Sequence, residues 1–252
     1  MKIEIDKAAV RFGGSKQVPV LNEMTLSIPD RQFLAIVGPS GCGKSTLLNA
    51  IGGLRRLSGG SIRFFREERE ARPRCLMAFQ EDRLFPWLTA LQNAAIGLEA
   101  QGIPKPEREA AAMRYLVRFG LEEAAGLFPH QLSGGMKQRI SLIRLMVSGG
   151  DILLFDEPLA ALDAQNRLYL QQELLDFWEE DIKTTVYVTH DIEEALFLAG
   201  RVIVLDQNAE ILEDLDVPAA VRRSGVGNVN PEREALRWRI WNMLPRPSFS
   251  NV

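Results

Sequence analysis

A chain of 252 residues with 46% hydrophobic and 25% charged side chains is long enough to bury one large or two small apolar cores. Thirty Lys and Arg against 33 Asp and Glu leave a net charge of −3, without the basic balance of a nucleic-acid binder, so no nucleic-acid partner is expected. Charges at Lys2, Glu4 and Asp6 fall where a signal peptide would be apolar, and no run approaches the ~18 apolar residues of a membrane span; the chain is expected to be cytoplasmic, with any spans supplied by another polypeptide.

Alternating apolar and polar residues over Lys2 to Val10 and Val18 to Ile28, followed by the turn pair Pro29-Asp30, predict an antiparallel β region. Phe33 to Val37 is a continuous apolar run that predicts a buried strand. It leads into a glycine-rich loop and then a helix from Lys44 to Ile51. Residues 83–150 read as almost entirely helical, and Thr89-Ala90-Leu91-Gln92 has the pattern of a capping box. Asp151 to Phe155 and Thr184 to Thr189 predict two further buried strands, each leading into a helix, as a parallel sheet requires. Near the end, Asn230-Pro231 offers a cap and a first-turn proline. Leu236, Ile240, Met243 and Leu244 then fall on one face for packing, and the tail from Pro245 to Val252 reads as frayed or loosely docked. Two cysteines, Cys42 and Cys75, and two histidines, His130 and His190, predict neither a disulfide nor a transition-metal site.

Two motifs carry chemistry. Gly38-Pro39-Ser40-Gly41-Cys42-Gly43-Lys44-Ser45-Thr46 fits a phosphate-binding loop, whose glycines let backbone N–H groups curl round phosphates while the lysine reaches the β and γ groups. Its place between a strand and a helix strengthens the match against a plain glycine turn with a solvated lysine. Leu132-Ser133-Gly134-Gly135-Met136-Lys137-Gln138-Arg139 opens a helix whose first amides attract anions. Alone, it reads equally well as a serine cap followed by flexible glycines.

Together these motifs resemble the nucleotide-binding subunits of ABC transporters, whose signature begins Leu-Ser-Gly-Gly, and the likeness covers nearly the whole chain. Further family motifs stand in the family's order: Gln80, Asp156-Glu157, Leu162-Asp163 and His190. The resemblance implies an α/β P-loop NTPase core of ABC type with an antiparallel β region and an inserted helical subdomain. The expected division is 1–82 with 151–216 as core, 83–150 as helical subdomain and 217–252 as a short C-terminal extension. ATP and Mg²⁺ are the implied cofactors. Lys44 and the loop amides from Gly38 through Ser40, Gly41, Cys42, Gly43 and Thr46 are expected on the phosphates, with Ser45 and Gln80 near the metal. The resemblance further implies that Asp156 orients the metal shell, Glu157 is the general base and His190 contacts the γ-phosphate. Read singly, Asp156 and Glu157 are carboxylates ending a strand, His190 a helix cap and Gln80 a surface amide. Phe12 stands where the family places an adenine-stacking aromatic, and equally reads as a core side chain.

With one phosphate loop and one signature helix per chain, the resemblance implies a head-to-tail pair with a second copy, in which Ser133, Gly134, Gly135 and Asp163 complete the partner's ATP site. Phe85-Pro86-Trp87 reads either as an apolar lead-in to the helix at Thr89 or as part of a groove for a multi-span membrane permease. That stretch, the segment Thr189-His190-Asp191-Ile192-Glu193-Glu194-Ala195 and the short C-terminal region resemble the ATPases of bacterial nitrate, sulfonate and taurine importers. Such ATPases sit on the inner face of the membrane and serve an external solute-binding protein indirectly. The chain departs from the pattern at Leu159-Ala160, where Phe-Gly is common, and at Ile143-Arg144-Leu145-Met146, where an alanine-rich segment is usual. An importer for another solute is the nearest alternative. A soluble ABC ATPase of DNA repair calls for a long coiled-coil insertion, which is not seen. A binding module without hydrolysis should lack Lys44, Glu157 or His190, and all three are present.

Overall fold

The computed structural model describes residues 1–13, 18–160, 162–222 and 230–245. In chain order the elements are β1 (Lys2–Phe12), β2 (Val18–Ile28), β3 (Phe33–Val37), α1 (Lys44–Ile51), β4 (Gly59–Arg66), β5 (Arg69–Glu70) and β6 (Cys75–Ala78). There follow α2 (Ala90–Glu99), α3 (Lys105–Arg118), short 3-10 turns at Glu122–Ala124 and Pro129–Gln131, α4 (Gly134–Ser148), β7 (Ile152–Asp156), α5 (Ala164–Glu180) and β8 (Thr184–Thr189). The last are α6 (Ile192–Leu198), β9 (Arg201–Leu205), β10 (Ile211–Asp216), α7 (Ala219–Arg222) and α8 (Pro231–Met243). The chain divides into two compact units, Met1–Pro73 with Ile182–Val252, and Arg74–Asp181.

The first unit holds the predicted antiparallel β region, ordered β2-β1-β4-β5. Its inward residues change parity along each long strand. In β1 the buried set is Ile3 and Ile5, then Ala8 and Val10; in β2 it is Leu21, then Met24, Leu26 and Ile28. Register shifts between β1 and β2 lie at these changes, with Lys7 (φ 46°) and Glu23 (φ 52°) in the left-handed region. One extra residue per bulge turns the following side chains back to the core, so both halves of each strand keep an apolar face.

The same unit holds the fully buried β3, which pairs in parallel with β8 on one side and β9 on the other, while β10 lies antiparallel on β9. Strands covered on both faces show no polar alternation, which is why the apolar run of β3 and the β-branched, aromatic run of β8 are visible in the sequence. The N-terminus is fastened to β8. Thr184 Oγ1 donates to Met1 O at 2.5 Å and accepts from Arg31 N at 2.9 Å, and the Met1 amine pairs with Asp30.

In the second unit β6 and β7 form a parallel pair, and β7 ends one residue beyond the predicted run, at Asp156. The capping box of α2 is present: Thr89 Oγ1 accepts from Gln92 N at 3.3 Å and Gln92 Oε1 from Thr89 N at 3.0 Å. Helices α2 and α4 meet where a Cβ on Gly97 would stand 1.8 Å from Ser148 Oγ, so the residue must be glycine for the two backbones to approach. Arg118 joins α3 to α5 through Glu173 at 2.7 Å and Glu180 at 3.0 Å.

Three features differ from the sequence reading. Strands β4, β5 and β6 had no predicted counterpart: β4 and β5 are exposed or half-buried without clean alternation, and β6 is an apolar run of only four residues. On α8 Ile240 is fully buried as expected, but Leu236 and Met243 are half-buried, and Leu244 lies past the helix as its C-terminal cap. The fully buried partner of Ile240 on that helix is a charged residue, Arg233. The predicted tail from 246 onward lies outside the described residues.

Candidate active site

In the first unit the phosphate-loop motif leaves β3 at Val37 and enters α1 at Lys44. Gly43 caps α1 with φ 114°, and a Cβ there would stand 2.9 Å from Val20 O. Both the backbone angle and the close approach require glycine. Ser40, Gly41 and Ser45 are exposed, Thr46 is half-buried, and Gly38, Cys42 and Gly43 are buried. Lys44 is only 4% exposed, and its ammonium donates to Gly38 O and Pro39 O, each at 2.8 Å. These carbonyls pin the charge on the loop while one of the three ammonium protons is left for a ligand. The helix N-terminus beside it adds positive potential.

His190 joins this loop at one end of the sheet. Val37 stands opposite Thr189 in the β3–β8 pair, so the loop and His190 leave adjacent parallel strands at their C-terminal ends. Ligands of open α/β sheets bind at such ends. His190 itself is exposed, and it is Asp191, not His190, that caps α6, accepting from the amides of Glu193 and Glu194 at 2.9 and 3.2 Å. Phe12 ends β1 half-buried, with the Arg55 guanidinium 4.2 Å from its ring centroid. Phe12 is thus not fully buried, and one face carries a cation, an attraction of the quadrupole type.

The second unit repeats the arrangement. Ala78 stands opposite Phe155 in the β6–β7 pair, so Gln80 and Glu157, each two residues further on, leave the same end of that pair. Asp156 is the buried last residue of β7; Glu157 is half-buried and Gln80 exposed. Glu157 has φ 46°, in the left-handed region that a glutamate enters only at a cost of order 1–3 kcal/mol. The turn is held from two sides. Ala160 N donates to Glu157 O at 3.2 Å, and the buried Gln138 side chain donates to Pro158 O. Gln138 lies inside the signature motif, yet nothing in the sequence showed that it fastens the turn after Glu157.

The signature residues open α4 as predicted. Ser133 accepts from Met136 N at 3.3 Å, and Ser133 and Gly134 are exposed. Gly135 lies against Leu162, where an added Cβ would stand 3.4 Å from Cδ2. Asp163 caps α5, accepting from Asn166 N at 3.0 Å and from the Asn166 amide at 2.7 Å; these bonds hold its carboxyl below the usual range. The Phe85–Trp87 segment is held in shape by Asn93, which is fully buried: its side chain accepts from Phe85 N at 2.8 Å and donates to Phe85 O, Leu88 O and Thr89 O. Arg144 adds bonds to Asn93 and to Arg83 O, and its burial lowers its pKa. On this frame Trp87 is 69% and Phe85 37% exposed, so neither forms the core of the helical region.

Among the described residues no helix is long and apolar enough to cross a membrane. Residues 21–160 match the family described as ABC transporter. The chain is 42% identical over 243 residues to the taurine import ATP-binding protein of Chromobacterium violaceum, covering 93% of this chain and 92% of that one. It is also 42% identical over 208 residues to an aliphatic sulfonates import ATP-binding protein of Rhizobium johnstonii, covering 82% and 74% respectively. A solved ATP-binding cassette, dimeric in a post-hydrolysis state with ADP and Pi, superposes with a TM-score of 0.78 at 31% identity, covering 86% of this chain and 99% of that one. The phosphate loop at the end of β3, the strained Glu157 after β7 and these matches converge: the chain belongs to the ABC transporter family and is one of its ATP-binding, ATP-hydrolysing cassettes.

Proposed function

We propose that the chain energises import of a small solute of the nitrate, sulfonate or taurine kind, working on the inner face of the cell membrane through a separate multi-span permease. The observation that supports this most directly is the 42% identity, over most of the chain, to cassettes named for taurine and sulfonate import. The exposed aromatic pair Phe85 and Trp87, ring centroids 5.5 Å apart on a rigid frame, supplies a surface suited to a permease segment.

In this reading Lys44 and the amides from Gly38 to Thr46 bind the ATP phosphates. Glu157 takes a proton from the attacking water as its oxygen bonds to the γ-phosphorus and the β–γ bridge breaks, releasing ADP and phosphate. His190 holds the γ-phosphate, and Phe12 offers its ring to adenine. Ser45, Gln80 and Asp156 are the Mg²⁺ residues. They supply only hard oxygen donors, the type this ion prefers. That donor set suits an ion that arrives with the phosphates, whose chemistry is to neutralise their developing charge. Two copies pair head to tail, and Ser133, Gly134, Gly135 and Asp163 of each complete the partner's site; the dimeric neighbour supports this. Residues 83–150 act as the helical subdomain and 217–252 as a C-terminal extension.

The test is uptake into vesicles holding the chain and a multi-span permease that co-purifies with it. ATP-driven uptake of taurine or an alkanesulfonate is expected, abolished by Lys44→Ala. Uptake of an unrelated solute alone would overturn the solute class, and ATP hydrolysis with no transport of any solute would overturn the importer reading.

A further inference from the structure

The exposed His190 follows a strand that ends at Thr189 and precedes a helix that begins at Ile192. Its backbone is held on both sides, by the β8 pairing that ends at Thr189 opposite Val37 and by the start of α6. Thr189 Oγ1 donates to the Glu194 carboxylate and accepts from Asp191 N at 3.0 Å, while Asp191 caps α6. The first turn of α6 therefore sets how the chain leaves residue 190.

That turn is gripped by α8. Arg233 donates to Glu193 Oε2 from Nε at 3.0 Å and from Nη2 at 2.8 Å, and from Nη2 to Glu193 O at 3.3 Å. Arg233 is only 6% exposed. A guanidinium keeps its proton even when buried, so it is stable there only if paired, and its planar fork fixes orientation as well as distance. Arg237 Nε stands 3.5 Å from the other Glu193 oxygen. Beside it on α8, Trp238 and Trp241, 54% and 57% exposed, line a cavity of about 400 Å³ together with His190. A packing helix needs neither a buried charge nor two indoles beside an exposed histidine.

We propose that α8 is a positioning element for ATP hydrolysis: Arg233, through Glu193, holds the start of α6 and so sets where His190 stands. The proposal rests on the role given to His190 above. Arg233 does not touch the reacting phosphate.

The test uses the full chain with ¹³C-labelled histidine. The chain has two histidines, so His130→Gln identifies the His190 signals. In Glu193→Gln and in Arg233→Glu the His190 imidazole resonances are expected to move. The kcat for ATP is expected to fall about tenfold, a modest fraction of what misplacing a reacting group can cost, with KM within about twofold. The reciprocal pair Arg233→Glu with Glu193→Arg should recover both readouts. Should Arg233→Glu fail to fold, Glu193→Gln, an isosteric change at a half-exposed site, carries the test alone. Unmoved His190 resonances, or a loss that the reciprocal pair does not recover, would overturn the tether. A wild-type rate in His190→Ala would overturn the reading of His190 instead, and the resonances report on the tether independently of that rate.

Discussion

Lys44 binds the loop it belongs to, its ammonium resting on the carbonyl oxygens of Gly38 and Pro39, both 2.8 Å away. A cation held on two carbonyls at the start of the loop is positioned before any phosphate is engaged, and the remaining proton points the specificity of the site toward an anion.

Lys44→Ala is expected to remove both that internal pin and the contact to the β and γ phosphates. Nucleotide affinity should fall tenfold or more, since each charge-assisted bond to a phosphate is worth about 1.5–3 kcal/mol. Isothermal calorimetry with ATP reads the effect directly, and an unchanged Kd would remove Lys44 from phosphate binding.

Gly43→Ala tests the loop's backbone. With φ at 114° and Val20 O 2.9 Å from the new Cβ, the change should destabilise the chain by more than about 1 kcal/mol. The urea midpoint should drop with the m-value unchanged. A midpoint equal to wild type would show that the turn relaxes without cost.

Glu157→Gln preserves shape and removes the proton acceptor. Hydrolysis should fall by ~10² or more while ATP binding persists. The same variant should accumulate as an ATP-dependent dimer, because bound nucleotide is no longer consumed. Phosphate release and light scattering at millimolar ATP with Mg²⁺ measure the two effects, and a wild-type rate would exclude Glu157 as the base.

The double variant Phe85→Ser with Trp87→Ser is expected to fold and hydrolyse ATP within about twofold of wild type. Asn93 and Arg144 hold that segment through backbone hydrogen bonds that remain when the rings are removed, although Arg144 also lies 5.5 Å from the Phe85 ring centroid. Transport by the reconstituted complex should fall to background, since aromatic anchors in docking surfaces can each contribute ~2 kcal/mol or more. A loss of several degrees in Tm would instead assign the pair to packing.

Both thiols should be slow to alkylate. Burial pushes Cys42 up and Cys75 up to about 11, with Asp151 adding to the latter, so at pH 8 each is almost wholly in the unreactive thiol form. Reactivity at Cys75 should rise with pH until the solution nears pH 11. Rapid iodoacetamide labelling of the folded chain at pH 8 would contradict this.

Elements whose cause is local or whose pattern is saturated were legible from the order of residues alone. The apolar run of β3 and the β-branched run of β8 are buried along their whole length, Thr89 and Gln92 are close enough in the chain to cap α2 unaided, and the order of Lys44, Gln80, Glu157 and His190 marks the family. The sequence also showed that Phe12 could stack, but not that Arg55 already covers one of its faces. The rest depends on pairs distant in the chain. Which strand lies beside β3 decides that the phosphate loop and His190 share one end, and no local pattern encodes that neighbour. Gln138 meets Pro158 and Arg233 meets Glu193 only once the backbone has brought them together. A charged residue such as Arg233 reads in sequence as solvent-facing, because burial of a guanidinium is stable only beside a partner that the fold supplies.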